Sequence, residues 1–136
     1  MCLNIARISD TVVTVHGEHT EADGEGVFMG GINTELGDVL TEKLRENGFI
    51  VKKHPNRKLQ GLEVRNICNR GKLRRGVQFE LSRTVREEMF SSLSSEGRKV
   101  TTAKFNAFVE TVRRVLTDAG GGFDSAAHGT GPHAGE

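Results

Sequence analysis

The sequence predicts an α/β domain, three-layer-like, with a mixed, mostly parallel sheet and flanking helices. Three observations carry that expectation. Short β-branched or alternating apolar runs at 11–15 and 77–81 have the length and composition of buried strands. Apolar residues recur at helical spacing over 34–47 and 102–116. The resulting order (strand, strand, helix, strand, strand, helix, helix) is that of layered α/β domains. A chain of 136 residues has material for one core and not for two. Residues 1–118 are therefore expected to form a single domain.

The first strand, Thr11-Val12-Val13-Thr14-Val15, runs into His16-Gly17, which places His16 at the carboxyl end of the strand, where open α/β sheets bind ligands. Residues 18–26 are polar and acidic and read as a surface loop. A short strand around Val27-Phe28-Met29 meets the pair Gly30-Gly31. The helix expected over 34–47 shows Leu36, Val39, Leu40 and Leu44 on one face, with Asn33 as N-cap and Gly48 as its stop. Phe49-Ile50-Val51 begins another strand, which fades through Lys52, Lys53 and His54 and ends at Pro55. Residues 55–76 form a loop long enough to suggest a functional role.

In Val77-Gln78-Phe79-Glu80-Leu81 the alternation sends Val77, Phe79 and Leu81 to one face and Gln78 with Glu80 to the other. A helix from Ser82 to about Phe90 turns Val85 and Met89 inward, residues 91–101 link, and a last helix spans 102–116. Residues 119–136 hold six glycines, two histidines and a proline, a composition that predicts a disordered tail.

Composition narrows the function. Hydrophobic residues at 35% and charged residues at 27% suit a globular domain. The net charge is +1, so attraction to a polyanion must be local. Absence of Trp and Tyr argues against a base-stacking nucleic-acid surface. Cys2 and Cys68 make no disulfide framework, and no apolar run serves as a signal peptide or membrane span. The expectation is two free thiols in a cytoplasmic protein without membrane partners.

Three features could carry chemistry. Glu80 is a carboxylate inside an apolar strand, a position that is statistically depleted of carboxylates and costly if its face is covered. His16 stands at a strand end; His19, three residues on, lies in a loop that does not give that spacing the geometry of a metal pair. Between 65 and 83 lie six cations: Arg65, Arg70, Lys72, Arg74, Arg75 and Arg83. They fit a clamp for carboxylates, which Arg forks bind in bidentate fashion. They also fit phosphate contacts in a non-catalytic polyanion or nucleic-acid binder.

The segment Asn66-Ile67-Cys68-Asn69-Arg70-Gly71 followed by Gly76-Val77-Gln78-Phe79-Glu80-Leu81-Ser82 closely resembles the phage-related poly-γ-glutamate hydrolase family. Thr14-Val15-His16-Gly17 and Phe28-Met29-Gly30-Gly31-Ile32-Asn33-Thr34-Glu35-Leu36 resemble the same family, so that similarity spans roughly 3–116. The resemblance implies a zinc-dependent amidohydrolase of carboxypeptidase A-like fold acting on poly-γ-glutamate or γ-glutamyl peptides. It gives His16 the role of a zinc ligand and Glu80 that of the base for zinc-bound water. Arg70, with Asn69 beside it, becomes a substrate contact.

The family pattern also has an amino-terminal His-Gly-Gly-like turn and a downstream Ser-Glu pair that supply a His and a Glu to the metal. Residues 1–15 contain neither. One ligand, His16, stands where a catalytic zinc has three and an open position. The resemblance thus implies the carboxyl-terminal portion of the family domain, truncated at the N-terminus and weakly active or inactive. It would be a fragment, a decayed copy or a chain that borrows ligands. Missing strands would leave an apolar sheet edge and favour self-association.

Overall fold

The computed structural model describes residues 1–19 and 24–124. A short helix α1 (Cys2–Ile8) precedes β1 (Val13–Gly17) and β2 (Val27–Gly30). Helix α2 (Thr34–Glu46), the two-residue β3 (Val51–Lys52), β4 (Val77–Leu81), α3 (Arg83–Met89) and α4 (Ala103–Asp124) follow. The strands form one sheet in the order β1-β4-β2-β3. β1 runs parallel to β4 and β2 parallel to β3, while β2 and β4 are antiparallel. The fold class expected from the sequence is the one observed.

Burial explains the arrangement. All of β4 is buried, because it is central and covered on both faces. Val77, Phe79 and Leu81 meet Leu36, Leu40 and Leu44 of α2 and Phe108 and Val115 of α4. Phe108 sets its ring edge against Phe79 and Phe49, at centroid separations of 5.4 and 5.8 Å. The opposite face of β4 lies under the 55–76 loop, whose Leu59 carbonyl accepts from Gln78 Nε2. α1 rests on that side against the turn Ile67–Asn69.

Local chemistry sets the ends of α2. Asn33 Oδ1 accepts from Leu36 N at 3.2 Å. At the other end Gly48 takes φ +84 while Gly48 N donates to Arg45 O and Phe49 N to Leu44 O, a left-handed glycine stop. That stop takes Phe49 out of the expected strand, which begins at Val51. Gly31, at φ +100, packs directly on the Gly76 carbonyl, so a side chain there would push the two loops apart.

Several boundaries shift. β1 begins at Val13 and includes His16 and Gly17. Val39, expected on the core face of α2, is 45% exposed. Glu18, expected in a surface loop, is buried. The stretch 91–101 is partly ordered by the Gly97–Lys99 turn and a Phe90–Thr101 bridge. α4 continues past Leu116 to Asp124 and takes in the first residues of the expected tail; residues 125–136 lie outside the described residues. Among the described residues no helix is long and apolar enough to cross a membrane.

Candidate active site

The parallel register of β1 and β4 sets His16 opposite Glu80. Partners in register share a face, so both side chains project from the side away from α2 and α4, near the carboxyl ends of their strands. β2 adds Phe28 at the same level, opposite Glu80. His16 is exposed on the edge strand, whereas Glu80 is only 7% exposed.

Glu80 is held from one side. Asn66 Nδ2 donates to Gln78 Oε1 at 2.9 Å, and Gln78 Nε2 donates to Glu80 Oε1 at 3.2 Å. Among the described residues nothing hydrogen-bonds the other carboxylate oxygen. Burial pushes the Glu80 carboxyl above its ordinary 4.5, the His16 imidazole beside it opposes the rise, and the nearby Glu18 carboxylate adds to it. His54 and His19 oppose it further.

A second pair lies beneath. His54 Nε2 meets Glu18 Oε2 at 2.7 Å, with the two side chains 1% and 5% exposed. His54 Nδ1 accepts from Asn56 N at 3.0 Å, so the proton on the neutral ring belongs to Nε2 and is donated to the carboxylate. Glu18 Oε1 accepts from His19 N at 2.9 Å. The His54 ring lies 4.7 Å from that of Phe28. Arg86 ties the strand ends together, donating from Nη2 to Glu18 O at 2.7 Å and from Nε to Leu81 O at 3.3 Å. Sequence reasoning missed Glu18, His54 and Arg86. Gln78 was visible as the neighbour of Glu80 on its face.

Asn69 and Arg70 occupy different ground. Asn69 is 1% exposed. Its Oδ1 accepts from Ile32 N and Gly76 N, and its Nδ2 donates to Gly61 O and Glu63 O. The amide is a staple of the loop and faces no open space. Arg70 is half-buried beside a stretch whose Lys72 N and Leu73 N donate to Ser9 O and Asp10 O. That contact is at the amino ends of β1 and β4, opposite the end where His16 and Glu80 stand. The structure therefore brings His16 and Glu80 together and sets Arg70 apart from them.

Cys68 is buried, its thiol pushed up to about 11 by that burial, and Cys2 is exposed; both are free. Among the described residues no three His, Cys, Asp or Glu side chains stand close enough to hold a metal ion. Glu18 and His54 engage each other, and His16 is the described residue that the family resemblance marks as a ligand. The described residues do not by themselves fit a zinc centre.

A family model described as poly-gamma-glutamate hydrolase matches residues 1–111. Two Bacillus subtilis (strain 168) proteins of the UPF0714 group are similar. YmaC is 29% identical over 107 residues, which is 77% of this chain and 45% of YmaC. YndL is 30% identical over 113 residues, 79% of this chain and 43% of YndL. The chain thus spans under half the length of these curated relatives. Among solved structures, a bacteriophage poly-gamma-glutamate hydrolase superposes with a TM-score of 0.77 at 25% identity, covering 88% of this chain and 58% of that one. A zinc-free apo structure of YndL superposes at 0.75, also at 25% identity, covering 87% and 58%.

Proposed function

The chain belongs to the poly-gamma-glutamate hydrolase family, and on that premise we propose that the carboxyl end of β1 and β4 is the proton-transfer half of a site for cleaving γ-glutamyl amide bonds. The observation that carries this is the register pairing of exposed His16 with buried Glu80. Amide hydrolysis needs a base that takes a proton from the attacking water and returns it to the departing amine. Glu80 suits both steps. Its raised pKa moves it toward neutrality, and Gln78 holds one oxygen while, among the described residues, the other has no hydrogen-bond partner. Phe28 and His54 wall the carboxylate and limit water on that side.

His16 is the residue that the family resemblance makes a zinc ligand. One imidazole does not hold zinc, so the proton-transfer reading stands on Glu80 alone. The Glu18–His54 pair and Arg86 act as positioning groups that fix the chain on either side of the reacting edge. Arg70 is assigned to a carboxylate of the substrate away from the scissile bond, with Asn69 beneath it as the staple.

The test is release of amine from γ-glutamyl oligomers, measured alongside protein-bound zinc by elemental analysis. Turnover is expected to be low at most, and whatever is detected should vanish in Glu80→Gln with the fold intact by circular dichroism. A protein that binds no zinc and releases no amine overturns the catalytic reading.

A further inference from the structure

The 66–76 loop and α1 bring four cations to one surface pocket. A cavity of about 460 Å³ is lined by Arg7, Arg70, Gly71, Lys72 and Arg74. Among the described residues one carboxylate pairs with these side chains, that of Asp10, 3.6 Å from Lys72 and itself 80% exposed. Among the described residues no ion pair engages Arg7, Arg70 or Arg74. Gathering like charges from two separate elements opposes folding unless an anion joins them. The platform is firm. Lys72 N and Leu73 N bond to Ser9 O and Asp10 O, and Arg74 N closes a turn onto Gly71 O. Arg74 itself takes φ +56, a conformation that is unfavourable for a residue with a side chain.

We infer that this pocket is a docking site for successive carboxylates of a γ-glutamyl polymer, set apart from the Glu80 edge. The inference rests on the γ-glutamyl reading above. It adds a place where the polymer is held without being cut. Arginine forks match carboxylates in bidentate fashion, and each γ-linked unit presents one free α-carboxylate. The whole chain carries a net charge of only +1, so the attraction belongs to this patch. Base stacking has no Trp or Tyr to use, which favours a carboxylate string over single-stranded nucleic acid.

Fluorescence anisotropy of a labelled γ-linked glutamate oligomer, titrated with the full chain at several salt concentrations, tests it. Binding is expected to weaken with salt. The double variant Arg7→Gln/Arg74→Gln is expected to bind at least about tenfold more weakly, with a salt slope shallower by about one to two. Arg7→Lys/Arg74→Lys keeps the charge and should recover most of the affinity, which separates lost charge from a disturbed fold. Glu80→Gln should bind as the unaltered chain does, so loss of turnover is told apart from loss of docking. Oligomer binding that is unchanged in the glutamine pair overturns the docking site and leaves the catalytic reading standing. No oligomer binding, with a single-stranded DNA of equal charge bound through Arg7 and Arg74, overturns both.

Discussion

At the scale of single residues, Glu80 links the proposed chemistry to stability. Its folded-state pKa lies above its ordinary 4.5, mainly through burial, so folding favours the protonated form. The stability that Glu80 contributes is then fully present below the unfolded value and is lost as pH rises through the folded one. The ionised carboxylate that proton abstraction requires is the form the fold tolerates less well. Glu80→Gln keeps the shape and removes the charge. Urea unfolding should find this variant more stable than the unaltered chain near pH 8, with the difference closing toward about pH 4. The nearby His16, His54 and His19 soften the effect without reversing it. Equal midpoints at both pH values would mean that Glu80 is solvated and a poor base.

At the scale of elements, the 55–76 loop shows why a segment without regular structure can still be rigid. Asn69 satisfies two backbone N–H groups and two carbonyls from three separate stretches of the chain. Asn69→Ala strands these partners in a dry site and should cost about 2–4 kcal/mol. Arg70→Ala next door should stay within about 0.5 kcal/mol. Urea midpoints for the two variants decide this, and similar losses would refute the staple.

Much of this scale was legible in the sequence, because its determinants are local. Alternation marked β4 at its true bounds, Asn33 capped α2, and Gly48 stopped it. What stayed hidden depends on distant contacts. Glu18 and His54 are 36 residues apart and meet only because β1 and the stretch after β3 converge. The antiparallel placement of β2 on β4 is likewise a long-range choice. Gly120, Gly121 and Gly122 belong to the glycine-rich stretch expected as a tail, and each glycine costs a helix about 1 kcal/mol, yet α4 runs through them. The carbon skeleton of Val39 fits the apolar spacing of α2 but falls on its flank.

At the scale of the whole molecule, the edge of the sheet leads to an expectation about behaviour in solution. β1 is bonded to β4 on one side and, among the described residues, is the terminal strand on the other. Val15 on that strand is 54% exposed, and on α1, which packs on the other face, Ile5 and Ile8 are 55% and 71% exposed. A strand edge with apolar side chains is a template for pairing with another chain. Charge offers little resistance, because the chain carries only +1 at pH 7 and its isoelectric point is about 7.9. The chain is therefore expected to self-associate as concentration rises. Val15→Lys places a solvated charge on the edge at a cost of under about 1 kcal/mol to the fold, since the position is already half in water. It should weaken association at least about tenfold, equivalent to 1.4 kcal/mol. Sedimentation velocity over a range of concentrations reads this directly. A chain that remains monomeric at all of them, or a lysine variant that associates as strongly, would show that the edge is protected by its own twist and shortness.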